Sequence, residues 1–384
     1  MTDVLSAPQG RFELARRSVR RNDPLRAWDA ADELALAHLE EKGLRAAGQV
    51  RVVIVNGGSG ALAVALATLN PVVVSDSYIE RIETAADLER NGFDPAVRFV
   101  DPLSIPEVSI GSPIDVLVVK IPRGAALLED ELHRLAPLLH RESVVVGAGM
   151  TKRVHTSTIE LFQSIIGPTV TSRAVKKARL ILTKRDPGLD AGPSPWPATL
   201  ETDAGTLVNH ANVFSHERLD AGTRFLLSNL PGGPLGEVVD LGCGNGIVGS
   251  TLARRDPAAR VTFVDESFMA VASARATFIA NGGDPSFGRF VVGDGLFSAD
   301  GTAAAERGTV DLIVNNPPFH DDQSQGDEIA WQMFTESHAA LRPGGELRAV
   351  GNRHLAYHAK LKRIFGNCRV VAANDKYVVY SAVR

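Results

Sequence analysis

The chain repeats itself. Residues 52–60, VVIVNGGSG, align with 238–246, VVDLGCGNG, and both are an apolar strand running into a glycine turn. Residues 72–76, VVVSD, align with 261–265, VTFVD. Each is a strand ending in an acid, followed by a helical run that stops at Asn-Gly: Asn91-Gly92 in one copy, Asn281-Gly282 in the other. Residues 115–122, DVLVVKIP, align with 311–318, DLIVNNPP. A repeat this long is a duplicated domain rather than a solenoid. Alternating strands and amphipathic helices imply, in each copy, a mostly parallel sheet with helices on both faces. Residues 186–200, DPGLDAGPSPWPATL, hold four prolines and two glycines, which neither a helix interior nor a central strand accommodates. The expected organisation is a first domain over 1–185, a linker over 186–200 and a second domain over 201–384.

The length of 384 residues suffices for two cores, and 44% hydrophobic with 22% charged residues is the balance of a soluble globular chain. No apolar run approaches the ~18 residues of a membrane span. The start, MTDVLSAPQGRFELARR, lacks the apolar centre of a signal peptide. Cys243 and Cys368 suggest no disulfide framework, so a cytoplasmic location is expected. A net charge of −4 excludes a chain that is basic throughout. Three runs are locally basic: 11–22 with five arginines and one acid, 173–185 with six basic residues, and 353–369 with five Lys or Arg. Together they point to a polyanionic partner.

The copies differ where chemistry would sit. The second has Asp240 where the first has Ile54, and Asn316-Pro317-Pro318 where the first has Lys120-Ile121-Pro122. An apolar residue cannot bond a charged ligand, and a lysine cannot accept from an amine. The first copy therefore reads as a scaffold without its site. In the second, Gly244-Asn245-Gly246-Ile247-Val248-Gly249 satisfies the dinucleotide pattern GxGxxG, with Asp265 about 20 residues on, so a dehydrogenase has to be weighed. Against it, Asp240 would repel a pyrophosphate and welcome a cation.

Residues 240–246, DLGCGNG, resemble the first motif of class I S-adenosylmethionine-dependent methyltransferases. The resemblance implies two tandem Rossmann-like domains, each with an antiparallel C-terminal strand. It implies a loop of Asp240, Gly242, Gly244, Asn245 and Gly246 around the cofactor's aminoacyl portion, Asp265 on the ribose hydroxyls, and Asp294, in VVGDG over 291–295, on the adenine amine. Cys243 reads as a small turn residue. The segment VFSHERLDAGTR over 213–224 looks like one that covers the cofactor in some of these enzymes; the alternative readings are core for Phe214 and a helix cap for Asp220.

Asn-Pro-Pro-Phe over 316–319 resembles the catalytic motif of methyltransferases acting on planar exocyclic nitrogens. Such an amine is a poor nucleophile, because its lone pair is delocalised into the ring. Two acceptors, the Asn316 side-chain oxygen and the Pro317 carbonyl, would hold both N–H groups and aim the lone pair. Proline brings an acceptor without a competing donor, at fixed φ. Phe319 would stack on the flipped base. No metal is required, and His320 reads as a phosphate contact or a turn cap.

The motif alone leaves guanine N2, adenine N6 and glutamine amide nitrogen open. A degenerate copy fused to an intact one resembles the bacterial ribosomal RNA guanine-N2 methyltransferases. Residues 329–334 (IAWQMF), 352–357 (NRHLAY), 361–368 (LKRIFGNC), 28–33 (WDAADE) and 75–79 (SDSYI) are similar to the large-subunit type. This implies methylation of one guanine in 23S ribosomal RNA. Lys120, Arg123, Lys176, Lys177 and Arg353 are the expected RNA contacts. The rivals are a 16S enzyme, a glutamine N5 methyltransferase of a translation factor, and a non-enzymatic RNA-binding protein. The longer linker and an insertion-like 299–308 depart from the family without touching the motifs. The residues leave the target nucleotide and the oligomeric state open.

Overall fold

Strands buried on both faces need continuous apolar runs, and Val52–Val55, with every residue buried, is one. The computed structural model describes residues 2–16, 26–43, 50–94, 97–109, 113–297, 303–318 and 323–384, with the side chains of 107–109 and 323–326 left aside. It divides into two units, Met1–Pro195 and Trp196–Arg384.

In the first unit a hairpin of β1 (Thr2–Ala7) and β2 (Gly10–Ala15) precedes α1 (Ala30–Glu41). Then follow β3 (Val52–Val55), α2 (Ala61–Ala65), β4 (Val72–Val74), α3 (Tyr78–Arg90), β5 (Phe99–Val100), β6 (Ile114–Lys120), α4 (Ala125–Leu135), β7 (Leu139–Met150), α5 (Thr156–Ile165), β8 (Thr169–Thr171) and β9 (Ala178–Thr183). The sheet order is β5-β4-β3-β6-β7-β9-β8. It is parallel up to β7, and β9 enters antiparallel beside it.

The second unit repeats this plan. The hairpin is β10 (Ala198–Thr202) with β11 (Gly205–Asn209), followed by α6 (Ala221–Leu227). Next come β12 (Glu237–Leu241), α7 (Ile247–Arg255), β13 (Arg260–Asp265), α8 (Phe268–Ala280), β14 (Gly288–Val292), β15 (Val310–Asn315), α9 (Gln323–Ala340), β16 (Leu341–Asn352), α10 (Tyr357–Phe365), β17 (Arg369–Ala373) and β18 (Tyr377–Val383). The order is β14-β13-β12-β15-β16-β18-β17, the same path strand for strand, with β18 antiparallel to β16. These are the expected α/β domains with an antiparallel C-terminal strand. β10 begins at Ala198, inside the proline-rich stretch. No helix among the described residues is long and apolar enough to cross a membrane.

The repeated Asn-Gly has a physical reason. Asn91 and Asn281 end α3 and α8, and Gly92 and Gly282 follow with φ of 75° and 80°. Each asparagine also clamps the leading hairpin. Asn91 donates to the Glu13 carbonyl at 2.7 Å and accepts its N–H at 2.8 Å. Asn281 does the same to Thr206 at 2.7 and 3.2 Å. A two-strand ribbon has little stability alone, so these ties hold it to its domain.

In the second unit α7 lies hard against β13. A Cβ on Gly249 would come 2.4 Å from Phe263 Cε1, and that ring is itself stacked on Phe290 at 4.9 Å. Gly249→Ala should therefore destabilise the chain by roughly 1–3 kcal/mol through overpacking. Denaturant melts check this; an unchanged midpoint would show that the helix moves aside freely.

Candidate active site

β12 runs into a turn in which Gly242, Gly244 and Gly246 take φ of 68°, 52° and 75°, left-handed values that favour glycine. A Cβ on Gly246 would sit 2.6 Å from Ala274 Cα, so this glycine lets α7 start against α8. A Cβ on Gly244 would meet nothing within 4 Å, so this face of the turn is open. The turn is tied to the next strand. Gly242 and Cys243 N–H groups donate to the Val264 carbonyl at 2.8 and 2.9 Å, and Gly244 N–H donates to Asp265 Oδ2 at 2.9 Å. Asn245 donates to Asn209 Oδ1 at 3.1 Å, which fastens the turn to the end of β11.

The three aspartates have distinct settings. Asp265, at the end of β13, also accepts the Ser267 N–H at 3.1 Å, and burial raises its carboxyl above the ordinary range. Asp240 is 4% exposed, and its Oδ2 accepts the Gly249 N–H at 2.8 Å. Burial pushes it up to about 7 against that hydrogen bond, and the Asp265 charge adds to the rise. Asp294 is half-buried in the turn after β14. Cys243 is buried, and burial pushes its thiol well above the usual range, so it is no nucleophile.

β15 ends beside this turn. Asn315 is buried and donates to the Leu241 carbonyl at 2.7 Å, tying β15 to β12, while its Oδ1 is buried without a partner. Asn316 donates through Nδ2 to Thr223 Oγ1 at 3.0 Å, and its Oδ1 is likewise buried and unpartnered. Thr223 is the third residue of α6, whose first turn Asp220 caps by accepting the Thr223 N–H at 2.8 Å. The amide is therefore held by its donor end, with its acceptor end free. Pro317 is buried; Phe319 and His320 lie outside the described residues. Thr223 and Asn315 were not singled out by sequence. Their roles depend on neighbours 93 and 74 positions away.

The first copy fills the same places. Lys120 occupies the position of Asn316, and its Nζ pairs with Asp29 and Asp32 at 2.8 Å each with 13% exposure. Asp32 is the third residue of α1, as Thr223 is of α6. Asn56, at φ 56°, stands where the second copy has Gly242, and donates to Glu131 Oε2 at 2.7 Å. A neutralised, covered ammonium is a structural ion pair, so Lys120 leaves the set of expected RNA contacts. Arg123 and Lys177 are exposed, and Lys176 is 70% exposed while paired with Glu33 at 2.7 Å. Arg353 donates from Nε and Nη2 to the Asn374 carbonyl, so its guanidinium braces the turn before β18. Among the basic-run residues, 17–22 lie outside the described residues.

An open glycine turn, a carboxylate ending the second strand and an unpartnered amide oxygen at the fourth define a class I S-adenosylmethionine-dependent methyltransferase. Residues 204–381 match the methyltransferase small domain and residues 2–187 the RLMG N-terminal domain. Ribosomal RNA large subunit methyltransferase G of Streptomyces avermitilis is 49% identical over 393 aligned residues, covering 100% of both chains. The protein of that name from Aeromonas salmonicida is 45% identical over 391, again covering 100% of each. The chain belongs to the ribosomal RNA large subunit methyltransferase G family. Its fold is shared with a 16S rRNA N2 methyltransferase of T. thermophilus in complex with AdoMet and guanosine, with a TM-score of 0.74 at 23% identity, covering 100% of this chain and 98% of that one.

A cationic ligand favours the ionised form of Asp240. Because that carboxyl sits at about 7, cofactor affinity should weaken as pH falls through that value. Calorimetric titration should find S-adenosylmethionine bound about tenfold more weakly one unit below the carboxyl's pKa than one unit above it. Asp240→Asn should flatten the profile; a flat profile in the wild type would detach Asp240 from the ligand.

Proposed function

We propose that the second unit transfers the methyl group of S-adenosylmethionine to the exocyclic N2 of one guanine in 23S ribosomal RNA, in the cytoplasm. The observation that carries this reading is the Asn316 oxygen, buried and unpartnered because Thr223 holds the other end of the amide. A buried acceptor left unmade costs about 1–3 kcal/mol. At Asn316 a substrate N–H would complete it.

Bound S-adenosylmethionine supplies a methyl group already activated on a sulfonium. The residues that fit it are Gly242, Gly244, Asn245 and Gly246 on the open turn, Asp240 beneath it, Asp265 for the ribose hydroxyls and Asp294 for the adenine amine. Asn316 Oδ1 takes one amine N–H and the Pro317 carbonyl the other, which orients the nitrogen lone pair. Phe319 stacks on the extruded base. The chain does the positioning and polarising, which is where the rate comes from when the leaving group is already good.

The first domain, 1–185, acts as a non-catalytic RNA-positioning module joined through 186–200 to the catalytic domain, 201–384. The Lys120 ion pair and the Asn56–Glu131 bond support this, since they occupy the places of an acceptor and of an open turn. Arg123, Lys176 and Lys177 are its phosphate contacts. Such contacts position the RNA, and the pocket selects the base. The family relationship favours this over a protein-modifying reading, which leaves the basic runs idle.

Asn316→Ala should abolish transfer to unmodified ribosomal RNA, by roughly 100-fold or more, as expected when a polarising group is lost. Cofactor affinity should stay within about twofold. Labelled-methyl transfer and calorimetry read the two separately. Near-normal turnover would remove Asn316 from its role.

A further inference from the structure

A cavity of about 660 Å³ lies beside the catalytic corner, with Phe214, His216, Arg218, Asp220, Lys376 and Tyr377 among its walls. Its position is set by the corner itself. Asp220 caps the helix whose Thr223 holds Asn316, and a Cβ on Gly222 would touch Tyr377 Cε1 at 3.1 Å. None of the glycine-turn residues lines it.

The loop that forms one wall is built, and it holds an aromatic ring outward. Phe214 is 63% exposed, so it is not core. Ser215 takes φ 58° and donates to the Arg218 carbonyl at 2.7 Å, which closes the turn. Asn209 donates to the His216 carbonyl at 3.0 Å, and the Trp196 ring meets the His216 ring edge-on at 5.1 Å. Asn209 also accepts from Asn245 of the glycine turn, so loop and cofactor turn share one anchor.

The other wall presents a lysine at a position the duplication marks. β16 and β18 pair Asn352 with Tyr377; β7 and β9 pair Met150 with Ala178. Just beyond each pair, the next N–H holds a lysine carbonyl: Arg353 to Lys376 at 2.9 Å, and Thr151 to Lys177 at 2.7 Å. Lys376 and Lys177 are thus one site in two copies. In the first copy Lys176 and Lys177 have φ of 48° and 63°, closed by reciprocal bonds between Val175 and Ala178 at 2.9 and 2.8 Å. Such a two-residue loop favours Asn-Gly, and lysine there is strained. That strain belongs to the first copy; Lys376 is not among the residues of positive φ, and what it shares with Lys177 is the register. Lys376 rests over the Tyr377 ring at 5.2 Å and is exposed. Glu217 is also on the rim, while the Asp220 carboxylate is committed to its cap.

We propose that this cavity seats a nucleotide flanking the target guanosine, its base stacked on Phe214 and its phosphate on Lys376. This rests on the ribosomal RNA reading above. Aromatic stacking accepts any base, and a lysine beside it supplies the phosphate contact. The flanking nucleotide is gripped at the same corner that receives the extruded base, so the cavity helps hold the strand open.

The test is steady-state methylation of unmodified 23S ribosomal RNA by Phe214→Ala, Phe214→Trp and Lys376→Ala, with calorimetric titration of S-adenosylmethionine on each. Phe214→Ala should raise the RNA KM roughly tenfold, and Phe214→Trp should restore it. Lys376→Ala should raise KM and flatten its salt dependence by about one phosphate contact. Cofactor affinity should not move in any of them. An unchanged RNA KM, or a KM that rises only in step with lost cofactor affinity, overturns the proposal. A wild-type chain that methylates no ribosomal RNA overturns the parent reading first, before any variant is compared.

Discussion

One side-chain amide, bound at one end and bare at the other, is the constraint around which the second unit is arranged. Asn316 follows the last residue of β15, where the chain leaves the sheet through two prolines and keeps one path. Its nitrogen is held by Thr223, and Thr223 is held by the Asp220 cap. The segment before the sheet therefore decides which way the amide faces. Without that tie the amide is free to turn over and present its N–H groups where its oxygen now stands.

The duplication shows what the framework permits. The same third residue of the leading helix meets the same corner in both units, as Asp32 with Lys120 and as Thr223 with Asn316. In one unit the contact is an ion pair that covers and neutralises the lysine. In the other it satisfies one end of an amide and leaves an acceptor. The glycine turn diverges in parallel. Gly242 has no side chain, whereas Asn56 keeps the left-handed backbone and sends its amide to Glu131, whose carboxyl burial raises well above its ordinary range. Two sheets of one topology thus carry one receptive site and one filled with polar groups of its own.

Much of this was legible in the residues. The aligned runs pointed to two sheets of like path; Asp265 ends β13 as expected, while Asp76 lies two residues past the end of β4. The glycines announced a turn, and Asn-Pro-Pro a rigid corner. Other features were hidden because they depend on residues far apart in the chain. The leading hairpins carry no strong strand pattern and owe their place to Asn91 and Asn281. The Thr223 clamp, the covering of Lys120 and the equivalence of Lys177 with Lys376 appear when strand registers are laid side by side. Arg353 read as an RNA contact, and its exposed guanidinium also donates to a carbonyl of the neighbouring turn. Phe214 divided between core and lid by sequence, and its ring is exposed at a cavity.

The central claim is that the corner grips a guanine by its exocyclic amine. The most direct measurement is nucleoside mass spectrometry of unmodified 23S ribosomal RNA after incubation with the chain and isotopically labelled S-adenosylmethionine. The account predicts label in N2-methylguanosine at one position. Label on another base, on a ring nitrogen of guanine or on protein would contradict it.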